Sequence, residues 1–211
     1  MIDYLLFVPA CFAINLAFGP NNLMALANGA QHGVGFALIA SMGRLLAFVP
    51  MIAISALGLG LVLSASAFVF TVVKMIGAGY LIYLGIKILR ASYKTPDSGL
   101  KANTLTLPQA FMREGFVALG NPKAILVFAA FFPQFVVTEA YIQSYTIIAL
   151  IFLALEAVAI LVYAFFGRLA ARSSTLNMGG FQRASGIGMV IFGGLLLLTR
   201  RPVCGRVWWV Y

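Results

Sequence analysis

The sequence predicts an all-α integral membrane protein with about six transmembrane helices in two inverted three-helix repeats. Extreme apolarity, long gaps between charges and an internal similarity carry that expectation. Of 211 residues, 63% are hydrophobic and 9% charged, against about 45–50% and about 25% in soluble domains. Five acids and fourteen bases cannot give a soluble fold of this size a polar surface. Residues 4–43 and 45–73 carry no formal charge, and a spanning helix needs about 20 apolar residues to cross about 30 Å of hydrocarbon. The apolar runs are continuous, which argues against barrel strands alternating in units of about ten residues.

Six segments follow in order: Tyr4–Ala27, Gly35–Leu61, Ser66–Leu89, Phe111–Val136, Tyr145–Phe166 and Phe181–Thr199. Turn chemistry separates them, with Asn28, Gly29 and Gly33 after the first and Thr95-Pro96-Asp97-Ser98-Gly99 after the third. The first, third and fifth connections hold Lys87, Arg90, Lys94, Lys101, Arg113, Arg168, Arg172 and Arg183, while the opposite side has Arg200, Arg201 and Arg206. An excess of Lys and Arg marks the cytoplasmic side, so both termini are expected outside. The opening MIDYLLFVPACFAINL has no positive n-region, so no cleaved signal peptide is read there. One histidine, His32, and the distant Cys11 and Cys204 make no convincing metal site and no Cys-x-x-Cys couple. The net charge of +9 is spread between apolar spans, which suits membrane anchoring rather than nucleic acid.

The internal similarity pairs the third segment with the sixth. Lys74, Gly77, Gly79 and Tyr83 stand 109 positions before Arg183, Gly186, Gly188 and Phe192. Gly19-Pro20 has a looser counterpart in Gly120-Asn121-Pro122. Three helices are an odd number, so a duplicated copy enters from the opposite face. Inverted repeats of this kind are a recurring transporter architecture with sites at discontinuous helices. The expected organisation is one domain over 1–199, with repeats about 1–90 and 111–199, a cytoplasmic loop about 91–110 and a basic, aromatic tail over 200–211.

Candidate chemistry clusters at two breaks and one acid. In Phe18-Gly19-Pro20-Asn21-Asn22, proline removes a helical donor and glycine loosens the turn. Freed carbonyls and two carboxamides at membrane depth survive where they are buried in protein or line a cavity. Gly120-Asn121-Pro122-Lys123 repeats this with a cation that meets a substrate carboxylate, holds partner groups in the resting state, or snorkels. Glu156 stands alone between Ala140 and Gly167, which makes it the one acid read deep in a span. It could bind an ammonium, exchange protons, or pair with Arg44 or Lys74. Tyr163, seven residues on, shares its helical face. Arg44 and Lys74 read as snorkelling anchors, His32 as a loop residue and Cys11 as a small apolar side chain. Gly43, Gly58, Gly60, Gly77, Gly79 and Gly85 read as sites of close helix approach, and Trp208, Trp209 and Tyr211 as interfacial anchors.

The Gly19-Pro20-Asn21-Asn22 break, the helix Gly77-Ala78-Gly79-Tyr80-Leu81-Ile82-Tyr83-Leu84-Gly85, and Gly115-Phe116 followed by Asn121-Pro122-Lys123 together resemble the LysE/RhtB family of amino-acid exporters. The resemblance runs over about residues 4–199. It implies bacterial inner-membrane export of amino acids or close derivatives, driven by protons, with no cofactor and no enzymatic activity. Glu156 corresponds to the family's acidic residue in the fifth helix, where Asp is usual. Phe18 stands where the family has proline, and the ending from Arg200 departs from the family's short one.

On this reading Glu156 and the carboxamides of Asn21, Asn22 and Asn121 accept the substrate ammonium. Helix N-termini at the two breaks and Lys123 meet its carboxylate. Gly19, Pro20, Pro122 and Tyr163 complete the expected substrate site, and Glu156 is the expected proton-coupling group. The expected partners are a small amino acid, protons and the lipid bilayer; homo-oligomerisation is left open. The alternatives are a cation or metal exporter on the same scaffold, a non-transporting membrane protein, and a membrane-embedded enzyme, which would need paired catalytic groups.

Overall fold

The computed structural model describes residues 2–65 and 105–172, with scattered helical positions between 72 and 90 and between 183 and 197. Among the described residues all regular structure is helical. Lys74, Gly77, Gly186, Gly188 and Phe192, which carry the internal similarity, lie outside them, as do Gly99, Lys101 and the tail.

The first segment is a broken span. Helix α1 runs Tyr4–Leu16, with Asp3 capping it by accepting from the Leu6 N–H at 3.1 Å. Proline at position 20 biases Gly19 towards extended backbone, and Gly19 is indeed extended at φ −161°. Helix α2 then restarts with Pro20 at its first position, where the missing N–H costs nothing, and runs to His32. The two axes differ by 62°. Gly33, at φ +90°, supplies the left-handed residue that turns the chain directly into α3, Val34–Ala65. His32 thus ends α2 rather than sitting in a loop, and its ring stacks on Phe36 at 4.3 Å.

The second described region has the same order of parts. Helix α4, Leu107–Leu119, begins with the Thr106 N–H donating to Gln109 Oε1 at 3.0 Å. After Gly120, Asn121 caps the short α5, Pro122–Leu126, by accepting from the Lys123 N–H at 3.0 Å. The helix continues through a π-turn, Val127–Phe131, and a 3-10 turn, Phe132–Gln134. Pro133 has no N–H to give, and Gln134 Nε2 donates to the Ala130 carbonyl instead, at 2.7 Å. The bend between Leu107–Leu119 and Pro122–Gln134 is 48°. A 3-10 turn, Thr138–Ala140, leads into α6, Tyr141–Arg172. Both regions are therefore a proline-broken pair followed by a helix of 32 residues.

Val34–Gly58 and Thr138–Arg172 are long and apolar enough to cross a membrane, and the bent pairs raise the number of candidate spans to four among the described residues. Leu5, Ile54, Leu57 and Ile142 are each at least 70% exposed. Such a surface suits hydrocarbon rather than water.

Packing differs along the helix axes. At the end holding His32, Leu107 and Arg168, helices meet backbone to backbone. A Cβ on Gly167 would lie 2.0 Å from the Leu26 carbonyl oxygen, and one on Gly29 2.2 Å from that of Ala164. One on Gly43 would lie 2.0 Å from the Phe111 oxygen. Gly29, read from sequence as turn chemistry, is thus a contact point between α2 and α6. Among the described residues, no atom lies within 4 Å of a Cβ added to Gly58 or Gly79. At the end holding Asp3, Ala56 and Tyr141, the core is aromatic. Phe7, Phe131, Phe132 and Phe135 pack with centroids 4.9–6.3 Å apart, and Phe128, Phe48 and Phe152 extend the cluster inward.

Candidate functional site between two helix breaks

Both breaks lie at one level, between the glycine-packed and aromatic ends. A helix that stops in apolar surroundings leaves four carbonyls unpaired, and each unpaired group is costly there. The end of α1 resolves this with side chains. Lys123 Nζ donates to the carbonyls of Ile14 at 3.2 Å and Ala17 at 3.0 Å. Asn22 Nδ2 donates to those of Asn15 at 2.7 Å and Ala17 at 2.9 Å. The Tyr163 hydroxyl donates to Leu16 at 2.7 Å. Residues of the second region thus complete the break in the first, and an ammonium sits where the helix dipole is negative.

Behind the break lies a buried charge cluster. Arg44 is wholly buried, which is tolerable only when its five N–H donors are all matched. Its Nε donates to Glu114 Oε2 at 3.0 Å and its Nη1 to Glu156 Oε1 at 2.8 Å. Nη1 also reaches Asn22 Oδ1 at 2.9 Å. Nη2 donates to the Asn21 carbonyl at 2.7 Å and to Glu114 Oε1 at 3.3 Å. Glu114 is held further by Asn21 Nδ2 at 3.0 Å and Ser41 Oγ at 3.3 Å. Asn121 Nδ2 donates to Asn21 Oδ1 at 3.1 Å, so the two breaks touch directly.

A water-sized cavity, about 10 Å3, opens at this junction. Gly19, Asn21, Asn22, Asn121, Lys123 and Glu156 line its polar side, and Ile14, Phe48, Ala124, Val127 and Phe152 form its apolar wall. Of the expected site residues, Pro20, Pro122 and Tyr163 do not line it. The prolines start α2 and α5, and Tyr163 is buried edge-on against Phe18 at 5.5 Å. Asn21 and Asn121 join the two breaks, and Asn22 ties the end of α1 to Arg44.

Two residues were misplaced or overlooked by the sequence reading. Arg44 is no interfacial anchor; it is the centre of the cluster. Glu156 is not the one acid at depth, because Glu114 is buried beside it. Arg44 shares a helical stripe with the buried Ala37, Ser41 and Phe48, and Glu114 one with Ala110 and Ala118. Spacings of three and four put these residues on one face, which was the available signal. Lys74, the other partner considered for Glu156, lies outside the described residues.

Comparison with known proteins identifies the family of this chain. The LysE type translocator family profile matches residues 12–200. An uncharacterised membrane protein of Pseudomonas aeruginosa is 34% identical over 93% of this chain and 95% of its own length. Leucine efflux proteins of Klebsiella pneumoniae and Salmonella typhimurium are 30% and 29% identical. The matches cover 66% of both chains for the former and 64% of both for the latter. No solved structure matches. The chain belongs to the LysE-type translocator family.

Proposed function

We propose that this protein exports amino acids or close derivatives across the bacterial inner membrane by proton-coupled alternating access. The observation that carries the reading is the cavity where both breaks meet, with Glu156 and Lys123 on its wall. A zwitterion needs an anionic acceptor for its ammonium and a cation for its carboxylate, and these two side chains have that chemistry. The apolar wall of Ile14, Phe48, Val127 and Phe152 suits an aliphatic side chain, and relatives named for leucine efflux make leucine the first substrate to test.

A water-sized cavity does not admit an amino acid, whose site needs a few hundred Å3, so this is a closed arrangement. Access requires the helices to separate on one side at a time. Two regions with the same order of parts support an inverted repeat, in which such rocking occurs about a central site. Exposed Arg113, Arg168 and Arg172 lie at the glycine-packed end and support a cytoplasmic assignment for it, with the amino terminus outside. Glu156 serves as the coupling acid: it takes a proton on one side and yields it when the substrate ammonium or Arg44 needs the charge.

The test is efflux of labelled leucine from proteoliposomes with an imposed pH gradient. The wild type is expected to export, and Glu156→Gln is expected to lose the gradient-driven component. Full gradient-driven efflux by Glu156→Gln would remove its proton role. If cells expressing the chain release no amino acid above empty-vector cells, the export reading itself fails.

A further inference from the structure

Arg44 divides its bonds unequally between two acids that are themselves in unequal places. It grips Glu114 with a fork, Nε to Oε2 at 3.0 Å and Nη2 to Oε1 at 3.3 Å. It holds Glu156 through Nη1 to Oε1 at 2.8 Å. Glu114 also receives Asn21 and Ser41, and it does not line the cavity. Glu156 does. A forked guanidinium–carboxylate pair is geometrically fixed, whereas a single contact can be exchanged for another donor without stranding the arginine. Glu114 therefore gives Arg44 a second, deeper anchorage.

We propose that Arg44 is a tethered counter-ion that keeps the ammonium acceptor Glu156 occupied in the closed arrangement. A substrate's primary ammonium displaces Nη1 from Glu156, and Arg44 stays paired on Glu114. The site is thereby never left with an uncompensated carboxylate, whose cost in a low-dielectric interior is large. The inference rests on the export reading only for the identity of the natural ligand; the displaced contact itself is available to any primary ammonium. Because the internal cation must be displaced, apparent affinity is reduced by the fraction of molecules in which Glu156 is occupied.

The test measures ligand-induced thermal stabilisation of the purified protein in detergent, with methylammonium and leucine as separate probes. The double variant Arg44→Gln with Glu114→Gln removes the tether and its anchor together and keeps the charge count balanced. It is expected to bind methylammonium about ten-fold more tightly than the wild type, and the gain is expected to vanish when Glu156→Gln is added. Arg44→Lys repeats the test with the charge retained, since an ammonium lacks the rigid fork that grips Glu114. It is expected to shift affinity in the same direction.

A purely structural brace would lower the melting temperature and leave methylammonium affinity unchanged, which would overturn the inference. So would a gain that survives Glu156→Gln. If leucine stabilises no form while the methylammonium gain persists, the leucine reading falls and the tether stands.

Discussion

The two ends of the helical bundle are closed by different physics. Around Gly29, Gly43 and Gly167, helices touch through backbone atoms. Around Phe7, Phe128, Phe131, Phe132 and Phe135, they touch through rings. Backbone contacts have no soft degree of freedom, because separating them means moving whole helices. Rings can rotate about their side-chain torsions, and the π-turn over Val127–Phe131 places three of these residues beside irregular backbone of a kind concentrated at functional sites. In a bilayer, where helix association relies on packing and hydrogen bonds rather than on escape from water, this difference sets which end deforms more cheaply. The charge cluster lies between them and is coupled to both. Arg44 follows Gly43 directly, and Glu156 is one helical turn from Phe152.

Breaking the glycine end is expected to have the largest effect. Alanine at Gly43 or Gly167 would put a Cβ 2.0 Å from a carbonyl oxygen of the facing helix. Moving the helices apart costs contacts along their length, so each variant is expected to lose about 3 kcal/mol, the upper part of the overpacking range. Thermal unfolding in detergent would show it. Melting temperatures equal to wild type would mean that this end is not closed by backbone contact.

The aromatic end is expected to respond less in stability and more in transport. Phe132→Ala removes a ring that touches Phe7, Phe128, Tyr145 and Phe152. A truncated phenylalanine in a soluble core costs about 3–5 kcal/mol, part of it for transfer from water. That transfer part is missing in lipid, which leaves about 2 kcal/mol for lost packing. Efflux assays should show an altered maximal rate in protein that still folds. An unchanged rate would remove the aromatic end as the deformable closure.

The same contrast explains what was legible in the sequence. The breaks at Gly19-Pro20 and Asn121-Pro122 follow from local chemistry, because proline dictates its own backbone and its neighbour's wherever it stands. Glu156 was visible because no other charge surrounds it. Glu114 was hidden by Arg113. Adjacent residues on a helix point about 100° apart, so one is exposed and the other buried, yet in a linear reading they merge into one polar patch. Arg44 was misread because ten residues into an apolar run is close enough to an interface for a long side chain to snorkel. The 62° bend of the first pair brings the Asn21–Asn22 break to the level of Arg44, and no property of residues 34–44 alone encodes that bend.

The smallest expected effect is the control that gives the glycine comparison its meaning. Gly58 lies in α3, as Gly43 does, but among the described residues no atom lies within 4 Å of a Cβ added to it. Gly58→Ala therefore meets no obstacle and gains helix propensity, worth up to about 1 kcal/mol in an exposed helix interior. Its melting temperature is expected to equal or slightly exceed that of the wild type. If Gly58→Ala destabilised the protein as much as Gly43→Ala, the cost would belong to glycine in this helix generally rather than to the facing carbonyl of Phe111. Opposite signs for two identical substitutions in one helix would instead locate the rigid closure at the end where α3 meets α4.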